Sequence, residues 1–187
     1  MDRKEIFRHA RQFIGGTATV YAYYNEDNSK SIDVMTSTNT QYKAVDIHST
    51  IGLSETNINK SMAGKRVGVE LIAVGDKGKD INCNILASVA FEIMDEKNCY
   101  YGEAFINAIS KYDKSLEMKH VILLAPAFWE EYSQISSNSM IISWLLLVPI
   151  SDKEKSYIES NGVDAFEEIL AKQDVDITDI NRKSFVL

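Results

Sequence analysis

The stretch IISWLLLVPISDKE, residues 141–154, decides the fold because its first half is the most apolar part of an otherwise polar and acidic chain. Such a segment can be a membrane anchor, a buried strand or the lining of a functional site. The apolar run from Met140 to Ile150 contains Ser143 and is about half the ~20 residues that a helix needs to cross a bilayer. The length therefore excludes a membrane anchor.

The same run predicts a strand over residues 142–148. A continuous apolar pattern is typical of a strand buried on both faces, as in the middle of a sheet. Because proline lacks the N–H that a central ladder needs, we expect the strand to end at Pro149. Ser151 and Glu154 then fit a capping box and predict a helix directly after the strand. The pair Asp164 and Glu167 repeats this device.

The rest of the chain shows a mixed α and β pattern. Apolar residues at helical spacing predict an N-terminal helix over residues 3–14, which Gly15 and Gly16 end. A wide apolar face over residues 81–94 predicts a central helix that covers the sheet. Residues rich in β-branched and aromatic types predict further strands, at 17–24 and 31–38 as a hairpin, then at 43–53, 66–74 and 118–129. The last helices and a tail occupy residues 152–187.

Composition and charge restrict the functional classes. The chain has 187 residues, of which 45% are hydrophobic and 25% charged, as in an ordinary globular domain. With 20 basic and 27 acidic residues its net charge is −7, which argues against binding a nucleic-acid backbone. The charge favours encounter with a basic partner, although it can also serve solubility alone. Two cysteines and no signal-peptide pattern predict a cytoplasmic protein without a disulfide framework or a metal site.

Signatures of catalysis are missing from the sequence. We find no phosphate-binding glycine loop, nucleophile elbow or helical zinc pair. A nucleophile at Cys83 or Cys99 would need His48 or His120 beside it in the fold, and we expect no such contact.

Glu70 is the only carboxylate within the apolar sequence GVELIAV, and burying a carboxylate without a partner is costly. Three interpretations stay open. The side chain can pair with Arg66 or Lys65, point to solvent at a sheet edge, or form part of a recognition pocket.

Several stretches, in order, resemble the suppressor-of-fused-like (SUFU) domain family. They are HSTIGLSE (48–55), VELI (69–72), VILLAPAFWEE (121–131), WLLLVPISDKE (144–154) and DINRKS (179–184). The resemblance covers nearly all the chain from about residue 15. It implies one α/β (α+β) domain over residues 1–187, with a mixed, mostly antiparallel central sheet flanked by helices, and no catalytic activity or cofactor.

The resemblance also implies a partner. Bacterial members of the family are associated with polymorphic toxin systems, in which they act as immunity proteins or antitoxins that silence a cognate toxin domain, often a nuclease. The acidic charge fits a toxin with a basic surface. The alternatives are a regulatory scaffold or adaptor without a toxin partner and, less favoured, a small hydrolase.

The partner-binding residues are predicted from turn and helix-end positions where carboxylates lie beside aromatic residues, because tyrosine and tryptophan are common binding anchors. The carboxylates are Glu26, Asp27, Asp95, Glu96, Glu130 and Glu131. The aromatic anchors are Tyr23, Tyr24, Tyr101 and Trp129.

Overall fold

The computed structural model describes residues 1–42, 44–126, 129 and 134–186. The helices in this part of the chain are α1 (Arg3–Ile14), α2 (Ile81–Glu96), α3 (Asp152–Asn161) and α4 (Val163–Lys172), with a 3-10 turn at Leu53–Glu55. The strands are β1 (Thr17–Tyr24), β2 (Ser31–Thr38), β3 (Val45–Ile51), β4 (Ser61–Met62), β5 (Lys65–Asp76), β6 (Ala104–Phe105), β7 (Met118–Leu124), β8 (Gln134–Ser136) and β9 (Met140–Ser151). The expected N-terminal and central helices are both present.

The described strands form one sheet in the order β1-β2-β3-β5-β9-β7-β6, with β4 added to β5 and β8 to β9. The central pair, β5 and β9, is parallel, and every other described pair is antiparallel. The expected fold class, a mixed and mostly antiparallel sheet flanked by helices, is confirmed.

Each face of the sheet carries its own hydrophobic core. The apolar side of α2 packs on one face, where it meets Leu145 and Leu147 of β9. Helices α1 and α4 cover the other face, where Trp144 and Leu146 of the same strand point. Alternate residues of β9 therefore pack in the cores on opposite faces of the sheet, which explains why almost all of its sequence is apolar.

Pro149 does not end the strand, so the predicted boundary is wrong. Strand β9 continues to Ser151, and Pro149 pairs with Val121 of β7. On the other side, the ladder between β5 and β9 stops at Leu146. Proline is tolerated because β9 has a neighbour on one side only at this point.

The predicted capping box of α3 is present, since the Ser151 side chain accepts from the Glu154 N–H and the Glu154 side chain accepts from the Ser151 N–H. Glu154 also forms a buried ion pair with Arg182 of the tail, at 2.6 Å. The second predicted capping box is wrong, because α4 begins at Val163 and Gly162 precedes it without a side-chain cap.

None of the three interpretations of Glu70 fits. Its carboxylate is fully buried and accepts a hydrogen bond from the Thr50 hydroxyl at 2.6 Å. The backbone N–H groups of Gly52, Leu53 and Ser54 donate to the same carboxylate at 2.9, 3.2 and 3.1 Å. Burial raises the pKa of Glu70 to about 6, against the opposing effect of these hydrogen bonds. The carboxylate thus holds the turn between β3 and the 3-10 turn.

Gly52 is needed in this turn. Its φ is +103°, and a Cβ at this position would lie 2.7 Å from Nε of Arg3. Glycine adopts such a φ without the steric cost that other residues incur, so its N–H can point at Glu70. Arg66, a predicted partner of Glu70, donates from Nη1 to the Ser54 carbonyl at 3.0 Å and not to the Glu70 carboxylate.

Replacing Glu70 with glutamine tests this arrangement. The amide NH₂ would face backbone N–H donors, so we expect Glu70→Gln to lower the free energy of unfolding at neutral pH by about 2–4 kcal/mol. Chemical denaturation measures this change. Glu168→Gln, an exposed change on α4, is the matched control and should stay within about 0.5 kcal/mol of the parent protein. A loss below about 1 kcal/mol for Glu70→Gln would contradict the interpretation.

Candidate protein-binding groove

An open groove of about 470 Å³ lies between the end of β1, the turn that follows it, and α2. We call it the binding groove. Its lining includes Tyr23, Tyr24, Glu26, Phe91, Glu92 and Tyr112. The groove combines aromatic rings, which are enriched at protein interfaces, with carboxylates, which can attract a cationic partner.

The hairpin between β1 and β2 positions the first wall of the groove. Strand β1 pairs with β2 along its whole length, and its last two residues point to different surroundings. Tyr23 is half-buried against the α2 core, whereas Tyr24 is 61% exposed. The turn is fixed by Asn25, which accepts from the Lys30 N–H at 2.9 Å, and by Asp27, which accepts from the Ser29 N–H at 2.9 Å.

Helix α2 and Tyr112 form the opposite wall. Asn84, Ser88 and Phe91 line the groove from the outward side of α2, at helical spacing. The Tyr112 hydroxyl donates to the Asn84 carbonyl at 3.1 Å and also contacts the Ser88 hydroxyl. The Tyr112 ring is therefore held across the helix while remaining 43% exposed.

The charges around the groove are mainly negative. The carboxylates are Glu26, Asp27, Glu92, Asp95 and Glu96, and the lysines are Lys30, Lys97 and Lys111. Lys30 pairs with Asp95, and Lys111 pairs with Glu92 at 2.5 Å. Within the described residues, Glu26, Asp27 and Glu96 form no ion pair, so their charge is available to attract a cationic partner.

Six of the ten predicted partner-binding residues come together here. Tyr23, Tyr24 and Glu26 line the groove, and Asp27 follows Glu26 in the same exposed turn. Asp95 and Glu96 end α2 next to that turn, as the ion pair between Asp95 and Lys30 shows.

Of the other four, the two that the structure describes, Tyr101 and Trp129, do not join them. The Tyr101 hydroxyl donates to Glu167 on α4, which packs on the opposite face of the sheet from α2. Trp129 is only 5% exposed and packs against Phe13, with ring centroids 6.1 Å apart. Trp129 is therefore wrong as a surface anchor, because its ring belongs to the core beneath α1. Glu130 and Glu131 lie outside the described residues.

Sequence reasoning missed Phe91, Glu92 and Tyr112. A signal was present for the first two, because Asn84, Ser88, Phe91 and Asp95 follow one another at helical spacing on the side of α2 away from its apolar face. No local pattern pointed to Tyr112, because only the folded chain brings it to α2.

Cys83 and His48 are in contact, so the expectation that they lie apart is wrong. The Cys83 sulfur lies 3.1 Å from Nδ1 of His48, and the Thr36 hydroxyl lies 3.0 Å from the same nitrogen. Both residues are buried, at 3% and 2% exposure. Burial lowers the pKa of His48 to about 4 and raises the pKa of Cys83. At neutral pH the pair is therefore a neutral thiol beside a neutral imidazole, not an activated thiolate.

His120 also has a structural role. The Asn107 N–H donates to Nδ1 at 2.8 Å, which places the ring proton on Nε2, and Nε2 then donates to Asp152 at 3.0 Å. This bond lowers the pKa of Asp152 and fixes the first residue of α3. Among the described residues, the hydrogen-bond partners of His120 are the Asn107 N–H and the Asp152 carboxylate, and neither is a thiol or a hydroxyl group.

Metal-binding groups are not found in the described part of the chain, where no three His, Cys, Asp or Glu residues cluster in a suitable way. In the same residues, no helix combines the length and apolar character that spanning a bilayer requires.

Comparison with known proteins gives consistent matches. The family model described as Suppressor of fused protein (SUFU) matches residues 28–183. Immunity protein YqcF of Bacillus subtilis (strain 168) is 32% identical over 187 residues, which cover 99% of this chain and 97% of that protein.

Solved structures share the fold at lower identity. A suppressor of fused homologue from Neisseria gonorrhoeae has a TM-score of 0.79 and 15% identity, and the match covers 99% of this chain and 97% of that one. A structure of the Sufu–Fu complex has a TM-score of 0.70 and 12% identity, with coverage of 98% and 91%. Drosophila Suppressor of Fused has a TM-score of 0.60 and 11% identity, and the match covers 97% of this chain but 50% of that protein.

The buried His48 predicts a pH dependence with a definite sign. Its pKa is lowered from 6.5 to about 4, so the unfolded chain binds a proton in this interval that the folded chain does not. The folded state should therefore lose about 2–3 kcal/mol as pH falls from about 6.5 to about 4. Glu70 acts oppositely between 4.5 and about 6, because its pKa is raised.

A variant isolates the contribution of His48. His48→Asn keeps a polar atom near Nδ1 but cannot titrate, and Glu70 is common to both proteins, so the difference between their pH profiles reports His48 alone. Denaturation at several pH values measures this difference, and an NMR titration of the imidazole measures the pKa directly. A His48 that titrates near 6.5 in the folded protein would contradict the prediction.

Proposed function

This chain belongs to the suppressor of fused family, and on that premise we propose that it is a non-catalytic immunity protein that binds and neutralises a cognate bacterial toxin domain. The observation that carries the proposal is the binding groove, in which exposed tyrosines are surrounded by carboxylates. The curated relative named as an immunity protein supports the same role.

The chemistry of the groove favours a basic partner. Tyr24 and Tyr112 offer large rings that are 61% and 43% exposed. The surrounding carboxylates would attract lysine or arginine side chains during diffusional encounter and pair with them on docking. A toxin that carries a basic surface beside an apolar one fits both features.

A nuclease is the toxin class that fits best. Its active site must attract phosphate groups, so the cleft is lined with cationic side chains. An acidic protein that occupies or shields this cleft competes with nucleic acid for the same charges. Neutralisation by this route needs no chemistry from the immunity protein, only an affinity high enough to exclude the substrate.

Catalysis has no support from the buried titratable groups. A cysteine hydrolase needs an accessible thiolate beside a base, whereas Cys83 and His48 are buried and neutral at pH 7. We therefore propose a protein without enzymatic activity, cofactor, nucleic-acid partner or membrane partner. We place it in the cytoplasm, where the unpaired Cys83 and Cys99 would stay reduced.

Charge reversal at the end of α2 tests the binding surface. We expect Asp95→Lys combined with Glu96→Lys to weaken binding to the toxin domain at least about tenfold, because the free charge of Glu96 becomes repulsive and the loss of Asp95 leaves Lys30 without its ion pair. Lysine at a helix C-terminus interacts favourably with the helix dipole, so the fold should tolerate the change. Calorimetry with a catalytically inactive form of the cognate toxin domain measures the affinity.

The matched control is Glu168→Lys combined with Asp174→Lys. It makes the same change in net charge around the C-terminal end of α4, on the opposite face of the sheet. Equal losses of affinity in both variants would show that net charge, not the groove, governs binding. If the wild-type protein forms no complex with the toxin domain and the toxin still kills cells that produce it, the proposed function is wrong.

A further inference from the structure

Strand β1 is a long and uncovered edge of the sheet. Its eight residues, TATVYAYY, are all exposed or half-buried and include no charge, proline or glycine. One side pairs with β2 in continuous register, and no described residue pairs with the other side. The opposite edge is different, because β6 has only two residues. An edge that is long, regular and uncharged is a template for another strand.

Three large apolar side chains on the same strand are exposed. Val20 is 44% exposed, Tyr21 62% and Tyr24 61%. Edge strands that remain unpaired are usually protected by an inward charge, a proline or a bulge. None of these devices is present between Thr17 and Tyr24, where every residue pairs with β2 in turn.

We propose that β1 pairs with β1 of a second copy of this chain, antiparallel and around a two-fold axis perpendicular to the sheet. Such an axis joins the two sheets into one and keeps equivalent faces on the same side. Directly opposite residues must point to the same face, so odd-numbered residues meet odd-numbered ones and even-numbered residues meet even-numbered ones.

The register centred on Val20 satisfies this condition with compatible neighbours. Val20 lies opposite Val20 of the second copy, and Ala18 lies opposite Ala22. Tyr21 then lies opposite Thr19, so that each large ring meets a small β-branched side chain. Cross-strand pairs of aromatic and β-branched residues stabilise antiparallel strands.

Charge explains why a second copy fits this edge better than a basic protein does. The strand has no carboxylate to attract a cation, and two copies with a net charge of −7 can approach along it without opposing like charges. The ends of the strand are complementary. Glu26 and Asp27 follow Tyr24, whereas Arg11 lies in the last turn of α1, just before Thr17.

The antiparallel arrangement brings these ends together. The acidic turn of one copy lies beside the end of α1 of the other, twice per dimer. Within the described residues neither Glu26 nor Arg11 already has an ion pair, so both are available. Because equivalent faces stay on the same side, the two binding grooves would face the same direction on the joined sheet.

The test measures the mass of the full chain alone, so its result is independent of toxin binding. Sedimentation velocity at about 100 µM should give twice the chain mass of 21.1 kDa. Val20→Lys and Val20→Glu should each be monomeric, because like charges then meet near the axis. An equimolar mixture of the two variants should recover the dimer, since opposite charges then face each other. Val20→Thr, uncharged and suited to a strand, is the control and should remain dimeric.

Cross-linking provides a second measurement that does not depend on a disruptive substitution. Directly opposite residues of antiparallel strands have Cα atoms about 4.5–5.5 Å apart, within the range that a disulfide spans. Val20→Cys should therefore form a covalent dimer on mild oxidation, whereas Lys153→Cys, exposed on α3 beside β7 and β9, should not. The native Cys83 and Cys99 are buried and should not contribute.

Three results would overturn the proposal. They are a wild-type protein that sediments as a monomer, a Val20→Lys variant that stays dimeric, and a mixture of the lysine and glutamate variants that stays monomeric. A monomeric wild-type protein that still binds toxin would reject the dimer and leave the proposed function in place.

Discussion

The parallel pairing of β5 with β9 is the constraint on which the rest of the structure depends. The two strands are paired from Arg66 and Met140 to Ile72 and Leu146, and their middle residues are buried on both faces of the sheet. Parallel neighbours cannot be joined by a tight turn, so the chain between them must cross over, and it supplies α2, β6, β7 and β8 on the way. Helices must then cover both faces, because either face left open would expose a row of apolar side chains.

Two buried carboxylates on or beside the central strands hold neighbouring segments of the chain in place, in different ways. Glu70 accepts hydrogen bonds from a hydroxyl and three backbone N–H groups. None of these buried donors near the turn after β3 is therefore left without an acceptor. Glu154 caps α3 and pairs with Arg182, which also donates to the Pro149 carbonyl at 2.6 Å. In both places hydrogen bonds offset the cost of burying a charge, and the second one ties the C-terminal tail to β9.

Periodicity was enough to predict most of the frame. The two-sided burial of β9, the hairpin of β1 and β2, and the long helix α2 each have a pattern that is visible within about ten residues. The misplaced features depend on neighbours that are distant in sequence. Pro149 is tolerated because β5 stops pairing at Leu146, Glu70 is satisfied by backbone N–H groups that have no sequence signal, and Cys83 meets His48 only because α2 crosses β3.

The predicted partner-binding residues show the same difference between features that depend on local sequence and features that depend on distant neighbours. Among the described residues, the predicted carboxylates Glu26, Asp27, Asp95 and Glu96 are exposed, since polar positions in turns and at helix ends can be recognised locally. Trp129 was misplaced because burial of an aromatic ring depends on which helix covers it. The groove residues Tyr24, Glu26 and Tyr112 are exposed or partly exposed and contribute little to either core. Substitutions at these groove positions should change the stability of the fold little, so the residues that select a partner can vary between relatives. The central strands need only keep their alternation of apolar residues. Relatives with few identical residues can therefore share this sheet, and identification of the partner must start from the groove.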